Sequence, residues 1–480
     1  MSDISNKKKQ IFWYDFANYT SYFLVLVSIV YLYEINIEIV GKIKYVESIA
    51  LALFPFLSLG LSQAFVNFLP ILEDYHAKTL YGNSLVLVFF ITVVIAIVLN
   101  SVNYFYPISN FNYIIYGVII SSALSFLEIM KSRSITLGKV IVPVLFEKIA
   151  PKFFMIIVLL FFGKFTYENN SFLAYYSIMY FAIILFLFSY LNKFSKARFS
   201  LKPEYLFENF NKKDLYKYMF FSVLASSLLF LAFKLEGLII PYFFSMKING
   251  LFSIALFVSS FVTLPAGGVF ALNSPVVSDM VKNNNFVELN VKYKEVAKLI
   301  FYKSFIILSI IFCVLPEIFA YIYNNNSDYI DLIPIIRVLC IGSIVSVATG
   351  FNNEIIIFSK YHKYNYIFTF LLVVINLSLF YYFLKFTNFG LLGIAYAISI
   401  SIILFNLLKL HFIKVKFDLN PFDKKYLILI LLMSIVFAIA YFLPSTNFLL
   451  VDILLKFAII FGLNLSIVRF IKLIDRSKIL

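Results

Sequence analysis

Long apolar runs, separated by short polar connections, decide what this chain can fold into. A helix needs about 20 mostly apolar residues to cross the hydrocarbon core of a bilayer, and about fourteen such runs follow one another here. The runs lie near 11–33, 46–70, 81–103, 111–130, 140–163, 171–191, 216–241, 250–273, 299–323, 332–357, 366–386, 389–410, 426–443 and 449–471. The pattern predicts an all-α membrane protein with about 14 transmembrane helices.

Composition supports this fold class and excludes others. Of the 480 residues, 62% are apolar and 14% are charged, whereas soluble domains average about 45–50% and about 25%. A single soluble core does not grow beyond about 250–300 residues, so a soluble enzyme, a disordered chain and a nucleic-acid-binding protein are excluded. The connections are too short for a separate domain, and the function must therefore lie among the helices.

The sequence carries no recognisable catalytic, metal or cofactor motif. Cys313 and Cys340 are its only cysteines, and both lie inside apolar runs, where they form neither a disulfide framework nor a zinc motif. Patterns typical of metalloproteases, serine hydrolases and nucleotide-binding loops are missing. We therefore expect a protein that is not an enzyme and that has no resident metal or cofactor.

The basic residues follow the predicted topology. The formal net charge is +15, and Lys and Arg are concentrated in every second connection, which the positive-inside rule assigns to the cytoplasm. These connections are centred near 131–139, 193–213, 282–298, 360–363 and 409–425. The sequence predicts a multi-pass membrane protein with both termini in the cytoplasm.

An internal repeat divides the chain. Residues 48–51 (SIAL) recur as residues 253–256, and at the same offset Pro70 matches Pro275 and Asp74 matches Asp279. The offset equals six spans, and an even number of spans gives both repeats the same orientation, related by an axis along the membrane normal. We predict a first six-helix bundle at 1–205, a second at 206–415 and a terminal helix pair at 416–480.

Several ionisable residues fall within the predicted spans. A charge at the centre of a membrane helix costs about 2.5–3.5 kcal/mol, so these side chains should face a polar cavity or a partner. Lys148 and Lys152 share a helix face, and they either line a cavity or anchor the helix at the cytoplasmic surface; Glu147 is close enough in sequence to neutralise one of them.

Other charges at the ends of spans have equally simple explanations. Asp15, one turn before Asn18, is either a favourable charge at a helix N-terminus or an ion-coupling carboxylate. Glu317, Asp452 and Lys456 lie near predicted external ends, where long side chains reach the interface.

Several motifs resemble one transporter family. The residues are Asn18-Tyr19, then Glu236 ahead of an apolar stretch, Asn249-Gly250-Leu251-Phe252 entering helix 8, Pro275 and Ser278 at its exit, Lys360-Tyr361-His362-Lys363, Asn376 and the Gly-x-x-Gly-x-Ala-x-Ala run from Gly390 to Ala397. Together they resemble the bacterial O-antigen-type polysaccharide flippases of the multidrug/oligosaccharidyl-lipid/polysaccharide exporter superfamily, over nearly the whole chain. Phe252 replaces the family's usual Tyr, and Glu236 its commoner Asp.

The resemblance implies a flippase that moves an undecaprenyl-pyrophosphate-linked oligosaccharide, such as an O-antigen unit for lipopolysaccharide, from the inner to the outer leaflet by alternating access. Its partners would be the lipid-linked oligosaccharide, membrane lipids and other surface-glycan assembly proteins, with no nucleic acid. The candidates for binding the pyrophosphate or glycan are Lys148, Lys152, Lys234, Arg337 and Asn18. The candidates for coupling to H⁺ or Na⁺, as in an antiporter, are Asp15, Glu236 and Glu354.

Two alternatives have the same fold. A cation-coupled multidrug exporter usually has twelve helices and a cavity suited to cations. A peptidoglycan lipid-precursor flippase has fourteen helices, but the Gly-x-x-Gly-x-Ala-x-Ala run fits the O-antigen type better. A polysaccharide polymerase or ligase is disfavoured, because the predicted external loops are short and contain no histidine.

Overall fold

The computed structural model describes residues 2–68, 72, 74–108, 110–163, 170–199, 212–324, 326–444, 446 and 448–471. These residues form α-helices and short connections, in two compact units, unit 1 (Met1–Gly250) and unit 2 (Leu251–Leu480).

Unit 1 contains α1 Ser2–Tyr31, α2 Ile37–Ser58, α3 Leu61–Phe68, α4 Asp74–Phe105, α5 Phe111–Thr136, α6 Ile141–Phe162, α7 Ser171–Asn192, α8 Lys212–Phe233 and α9 Glu236–Phe243. Helix α10, Met246–Ser260, begins in unit 1 and continues into unit 2. Unit 2 then contains α11 Leu264–Lys282, α12 Phe286–Cys313, α13 Leu315–Ile322, α14 Ser327–Ile330, α15 Leu332–Ala348, α16 Asn352–Phe358, α17 Lys363–Phe386, α18 Gly390–Phe417, α19 Lys424–Tyr441 and α20 Leu449–Ile471.

The chain is a multi-pass membrane protein. In the described residues, 11 helices are long and apolar enough to cross a bilayer. The predicted runs near 11–33, 46–70 and 140–163 overlap α1, α2 with α3, and α6, which are not among these helices. Two of these three runs lie on α2 and α6, which carry several ionisable residues. The bundle boundaries at 205/206 and 415/416 stay predictions.

Helix α2 begins at Ile37, well before the predicted residue 46. The side chain of Asn36 accepts a hydrogen bond from the Ile39 amide at 3.1 Å, which satisfies one of the free N–H groups at the helix start. The first turns alternate buried apolar residues with charged ones, and this lowers their hydropathy without preventing a helix. Lys44, which the predicted span 46–70 left in a connection, therefore lies inside the helix, one turn before Glu47.

Two predicted spans of unit 1 are interrupted. Between α2 and α3 the backbone enters the left-handed region at Leu59 (φ 48°) and Gly60 (φ 68°). A Cβ on Gly60 would lie 2.6 Å from the Cβ of Ser222, so the turn lies directly against α8. The second interruption separates α8 from α9, and there a Cβ on Gly237 would overlap the side chain of Ser48 on α2.

Gly41 and Gly250 lie shortly before the two copies of the SIAL repeat, and they contact each other in unit 1. A Cβ on Gly41 would overlap the carbonyl oxygen of Met246, and a Cβ on Gly250 would lie 3.1 Å from the Gly41 amide nitrogen. The side chain of Asn249 donates to the Gly41 carbonyl at 2.9 Å. The start of α10 thus lies on α2 with backbone against backbone, which only residues without a Cβ permit.

In unit 2 the last two helices, α19 and α20, pack on α12, and ion pairs join the start of α19 to α12 and join α20 to α13. Buried Lys298 of α12 contacts Glu295 at 2.8 Å and Asp423, directly before α19, at 3.2 Å. At the other end Lys456 of α20 pairs with Glu317. The terminal pair is therefore part of the unit 2 core.

Replacing Gly41 with Ala should lower the thermal unfolding midpoint of the detergent-solubilised protein, because the new methyl group must displace α10. Such overpacking typically costs about 1–3 kcal/mol. Gly267→Ala in α11 is the matched control, since a Cβ there meets nothing within 4 Å. Equal midpoints for the two variants would contradict the close approach of α2 and α10.

Candidate functional site

A carboxylate on α2 is the centre of a group of charged residues in unit 1. Glu47 accepts a hydrogen bond from Lys44 Nζ at 2.7 Å, one helical turn away on α2. It also accepts one from the hydroxyl of Tyr176 on α7, at 2.6 Å. Tyr176 is fully buried, so this phenol holds the carboxylate in one position.

Three more lysines lie in the same region of unit 1. Lys152 on α6 is within electrostatic range of Lys44, Glu47, Lys148 and Lys234. Lys148 lies one turn before Lys152 on the same helix face, and Lys234 lies at the break between α8 and α9. We call Lys44, Lys148, Lys152 and Lys234, with Glu47, the lysine cluster.

Tyrosines border the lysine cluster. The rings of Tyr176 and Tyr180 are 5.4 Å apart, and their hydroxyls are 3.5 Å apart. Phe154, from α6, contacts Tyr180 edge-to-face at 5.8 Å. Tyr33, in the α1–α2 connection, is buried and within electrostatic range of Lys44 and Glu47. The cluster therefore combines cations with aromatic faces and phenol groups.

The lysine cluster is suited to an anion. Glu47 is within electrostatic range of Lys44 and Lys152 and compensates part of their charge, whereas Lys148 and Lys234 are within range of Lys152, and these like charges repel one another. Bound phosphate would relieve this repulsion and accept the ammonium hydrogens. Glu147 does not supply the compensation that its sequence position suggested, because it pairs with Lys131 of α5 at 3.0 Å.

The predicted substrate-binding residues fall into two groups. Lys148, Lys152 and Lys234 meet in the lysine cluster, and Asn18 lies half-buried on α1, the helix that packs against α6. Arg337 belongs to unit 2, where it donates to the Phe312 carbonyl at 3.1 Å.

Arg337 also lies over the rings of Phe312 and Tyr441, at 5.5 and 5.7 Å. It thus binds the carbonyl end of α12, where cations are favourable, and its role in substrate binding stays a prediction.

The predicted ion-coupling residues are also distributed. The side chain of Asp15 lies outside the described residues. Glu236 is buried in the first turn of α9 and is within electrostatic range of Lys234. Glu354 belongs to α16 of unit 2. Among the described residues, no group of three or more His, Cys, Asp or Glu side chains is placed to hold a metal ion.

Glu354 lies beside a buried lysine. Lys409 of α18 is 2% exposed, donates to the side-chain oxygen of Asn353 at 2.8 Å and lies over the Phe405 ring at 4.1 Å. It is within electrostatic range of Glu354, whose Oε2 is buried without a hydrogen-bond partner among the described residues. The hydroxyl of buried Tyr293 is similarly unpartnered there and within electrostatic range of Glu354.

An amide network adjoins this pair. The side chain of Asn352 donates to Asn406 Oδ1 at 2.8 Å and to the Thr349 hydroxyl at 2.8 Å. Asn352 follows Gly350, whose positive φ of 60° lies in the connection between α15 and α16. We call Glu354, Lys409 and Asn353, with this network, the α16 cluster.

Four residues of these clusters were not predicted as site residues, namely Lys44, Glu47, Tyr176 and Lys409. Lys44 and Lys409 were assigned to connections, because charge alone placed them outside the spans. One signal was present: Lys44 and Glu47 are three residues apart, the spacing of an intrahelical pair. Nothing in the sequence distinguishes Tyr176 among 34 tyrosines.

No protein-family model and no curated protein matches the sequence, whereas solved structures match the fold. The lipid II flippase MurJ in an inward closed conformation aligns with a TM-score of 0.64 at 17% identity, over 93% of this chain and 100% of that one. A MATE family multidrug resistance transporter of the MOP superfamily, facing inward, aligns with a TM-score of 0.63 at 15% identity, over 83% and 94%.

A MOP superfamily transporter from Pyrococcus furiosus, for which a binding pocket of reverse polarity suggests a different function, aligns with a TM-score of 0.53 at 16% identity, over 86% and 96%. The chain therefore has the fold of MOP superfamily transporters.

A double-mutant cycle tests the centre of the lysine cluster. Lys44→Gln and Glu47→Gln should each lower the unfolding midpoint. The double variant should lose less free energy of unfolding than the two single variants together, with a coupling energy on the order of 1 kcal/mol. The control pair is Glu38–Lys42 on the same helix, at 2.8 Å with Glu38 half-exposed, where coupling should stay at or below about 0.5 kcal/mol. Equal coupling in both pairs would contradict a special environment at Glu47.

Proposed function

We propose that this protein is an alternating-access transporter that flips a lipid-linked oligosaccharide, carried on undecaprenyl pyrophosphate, from the inner to the outer leaflet of the bacterial cytoplasmic membrane. The MOP-type fold supports the transporter class. The lysine cluster is the observation that carries the substrate class, because it places several cations on helices of an otherwise apolar protein.

The chemistry of the headgroup agrees with the lysine cluster. A pyrophosphate diester carries at least two negative charges, and its transfer into hydrocarbon would be prohibitive without compensation. Lysine ammonium groups compensate such a charge while their flexible stems follow the moving group. Lys44, Lys148, Lys152 and Lys234 are the proposed headgroup ligands, and Tyr176 and Tyr180 offer aromatic faces to the sugars.

Asn18 and Arg337 are proposed as secondary contacts to the substrate. Asn18 is on the helix that packs against α6 and has amide groups suited to a glycan hydroxyl. Arg337 is engaged with the end of α12, so we propose that it contacts the substrate only after leaving that carbonyl.

The main rival is a cation-coupled multidrug exporter. A lipophilic cation would be repelled by the lysine cluster, which combines four lysines with the single carboxylate Glu47. A peptidoglycan lipid-precursor flippase remains compatible with the same anionic headgroup, and the similarity to a lipid II flippase gives it weight. The two differ in the glycan, and the genetic test below separates them.

The proposed architecture has fourteen spans. The described residues supply 11 candidates, and α1, α2 with α3, and α6 would be the others. We propose two six-helix repeats, related by an axis along the membrane normal, followed by a terminal pair. The internal repeat, in which residues 48–51 recur as 253–256, supports this arrangement, and the basic connections support cytoplasmic termini.

We further propose that transport is coupled to protons through the α16 cluster. Glu354 has a buried oxygen without a partner among the described residues, which a proton would satisfy. Sodium is disfavoured there because the Lys409 ammonium is within electrostatic range. Asp15 and Glu236 are the alternative coupling carboxylates.

Substituting Lys152 tests the substrate class. In a host strain that lacks its own copy, Lys152→Gln/Lys234→Gln should reduce surface glycan at least tenfold at normal protein abundance, because the headgroup loses two cations. Lys152→Arg should retain most display, and Lys385→Gln is the control, since that lysine contacts the Tyr381 hydroxyl outside the cluster.

Full glycan display by the Lys152/Lys234 variant would refute the headgroup site. Unchanged glycan in the deletion strain, together with arrested cell-wall synthesis, would instead identify a peptidoglycan precursor as the substrate.

Proton coupling predicts a distinct phenotype for Glu354→Gln. In proteoliposomes, an imposed pH gradient should accelerate flipping of undecaprenyl-pyrophosphate-linked sugar by the wild-type protein at least fivefold. Glu354→Gln should keep the rate measured without a gradient and lose the acceleration. Acceleration of the wild-type protein by a sodium gradient at constant pH would refute the proton assignment.

A further inference from the structure

A polar pocket of about 540 Å³ lies in unit 1, where the start of α4 meets the segment after α7. Its lining includes four basic residues, Lys78, Lys193, Lys196 and Arg198, and one acidic residue, Asp74. It contains no member of the lysine cluster and none of the predicted site residues. The pocket therefore needs its own explanation.

The pocket is held in shape by buried and backbone interactions. A Cβ on Gly82 would overlap the carbonyl oxygen of Arg198, so the segment after α7 lies directly on α4. The Arg198 amide donates to the Lys78 carbonyl at 3.2 Å. The Asn192 side chain accepts from the Ala197 amide at 3.1 Å and closes the turn.

A buried arginine lies behind the lining. Arg133 of α5 is 4% exposed, donates to the hydroxyl of Ser195 at 2.7 Å and lies 3.8 Å from Asp74. Its Nε is buried without a hydrogen-bond partner among the described residues. Asp74 is also paired with Lys78, so the acidic residue is engaged with cations while Lys193, Lys196 and the Arg198 side chain are exposed.

Exposed aromatic rings accompany these cations. The guanidinium of Arg198 lies 4.7 Å from the centre of the Tyr75 ring, and Lys139 lies 4.8 Å from that of Phe194. Both rings are about half exposed. Half-exposed aromatic residues beside Lys and Arg are typical of the headgroup layer of a membrane, and basic pockets between membrane helices bind phosphate headgroups.

We propose that this pocket binds the phosphate of an anionic lipid headgroup at the membrane surface. Arg198 and Lys193 approach the phosphate oxygens from the pocket wall, and Lys196 adds a third cation. The Tyr75 and Phe194 rings lie against the upper part of the acyl chains. The positive-inside pattern assigns this end of unit 1 to the cytoplasmic leaflet, where anionic lipids give a negative surface potential.

Native mass spectrometry of the full-length protein in detergent tests the pocket. Titrated with dioctanoyl phosphatidylglycerol, the wild-type protein should bind one lipid at least tenfold more tightly than dioctanoyl phosphatidylcholine. In the triple variant Lys193→Gln/Lys196→Gln/Arg198→Gln, the ratio of the two lipid affinities should fall at least tenfold. The control Lys360→Gln/Lys363→Gln/Lys416→Gln removes the same charge from another predicted cytoplasmic region, where Lys360 and Lys416 lie over Tyr361.

Equal losses in the two triple variants would overturn the proposal, because net charge rather than the pocket would then govern lipid binding. Displacement of the bound lipid by inorganic phosphate at equal concentration would also overturn it, since the site would then take a free anion. Unchanged lipid binding by Arg198→Lys, with loss in the triple variant, would support it and show that the variants remain folded.

Discussion

The cost of holding charge in an apolar environment determines most of this structure. Each ionised side chain on a membrane helix is unfavourable by about 2.5–3.5 kcal/mol unless it finds a partner. Several ionised side chains here are accordingly paired, some within one helix and some between neighbouring elements. Lys298 contacts Glu295 and Asp423, Lys456 pairs with Glu317, and Glu47 accepts from both Lys44 and Tyr176. These pairs fix which helices meet.

Against this background, the lysine cluster departs from neutrality. Pairing stabilises one charge with another, yet Lys152 adds a cation near Glu47, which already has partners, and Lys148 and Lys234 are within electrostatic range of Lys152. A protein that minimised only its folding free energy would replace such residues with apolar ones, since buried ion pairs contribute little to stability. Under the proposed function, an anionic cargo would balance this excess of positive charge.

The sequence predicted the helical segments well, because a bilayer leaves few alternatives to a helix of about 20 residues. It failed where charge and helix coincide. Lys44 and Lys409 were assigned to connections because they are cations near the ends of apolar runs, whereas Asn36 starts α2 early and α18 continues to Phe417.

The partners of individual side chains could not be predicted from the sequence for a different reason. Glu147 could have paired with Lys148 or Lys152, and only the packing of α6 against α5 gives it Lys131.

Both polar clusters lie at interrupted helices, and this follows from the same constraint. Helix α8 ends at Phe233 and α9 begins at Glu236, so Lys234 lies at the break. In unit 2, Gly350 separates α15 from α16, and Asn352 and Glu354 follow directly. A break frees backbone N–H and C=O groups, which in a membrane protein are tolerated only where polar side chains, water or a ligand satisfy them.

Interrupted helices thus gather polar groups, and transporters commonly bind substrates and ions at such discontinuous helices. The two breaks give each unit a polar centre of its own, cationic in unit 1 and amide-rich in unit 2. Under the proposed function, the cationic centre would bind the cargo and the amide-rich centre would bind the driving ion.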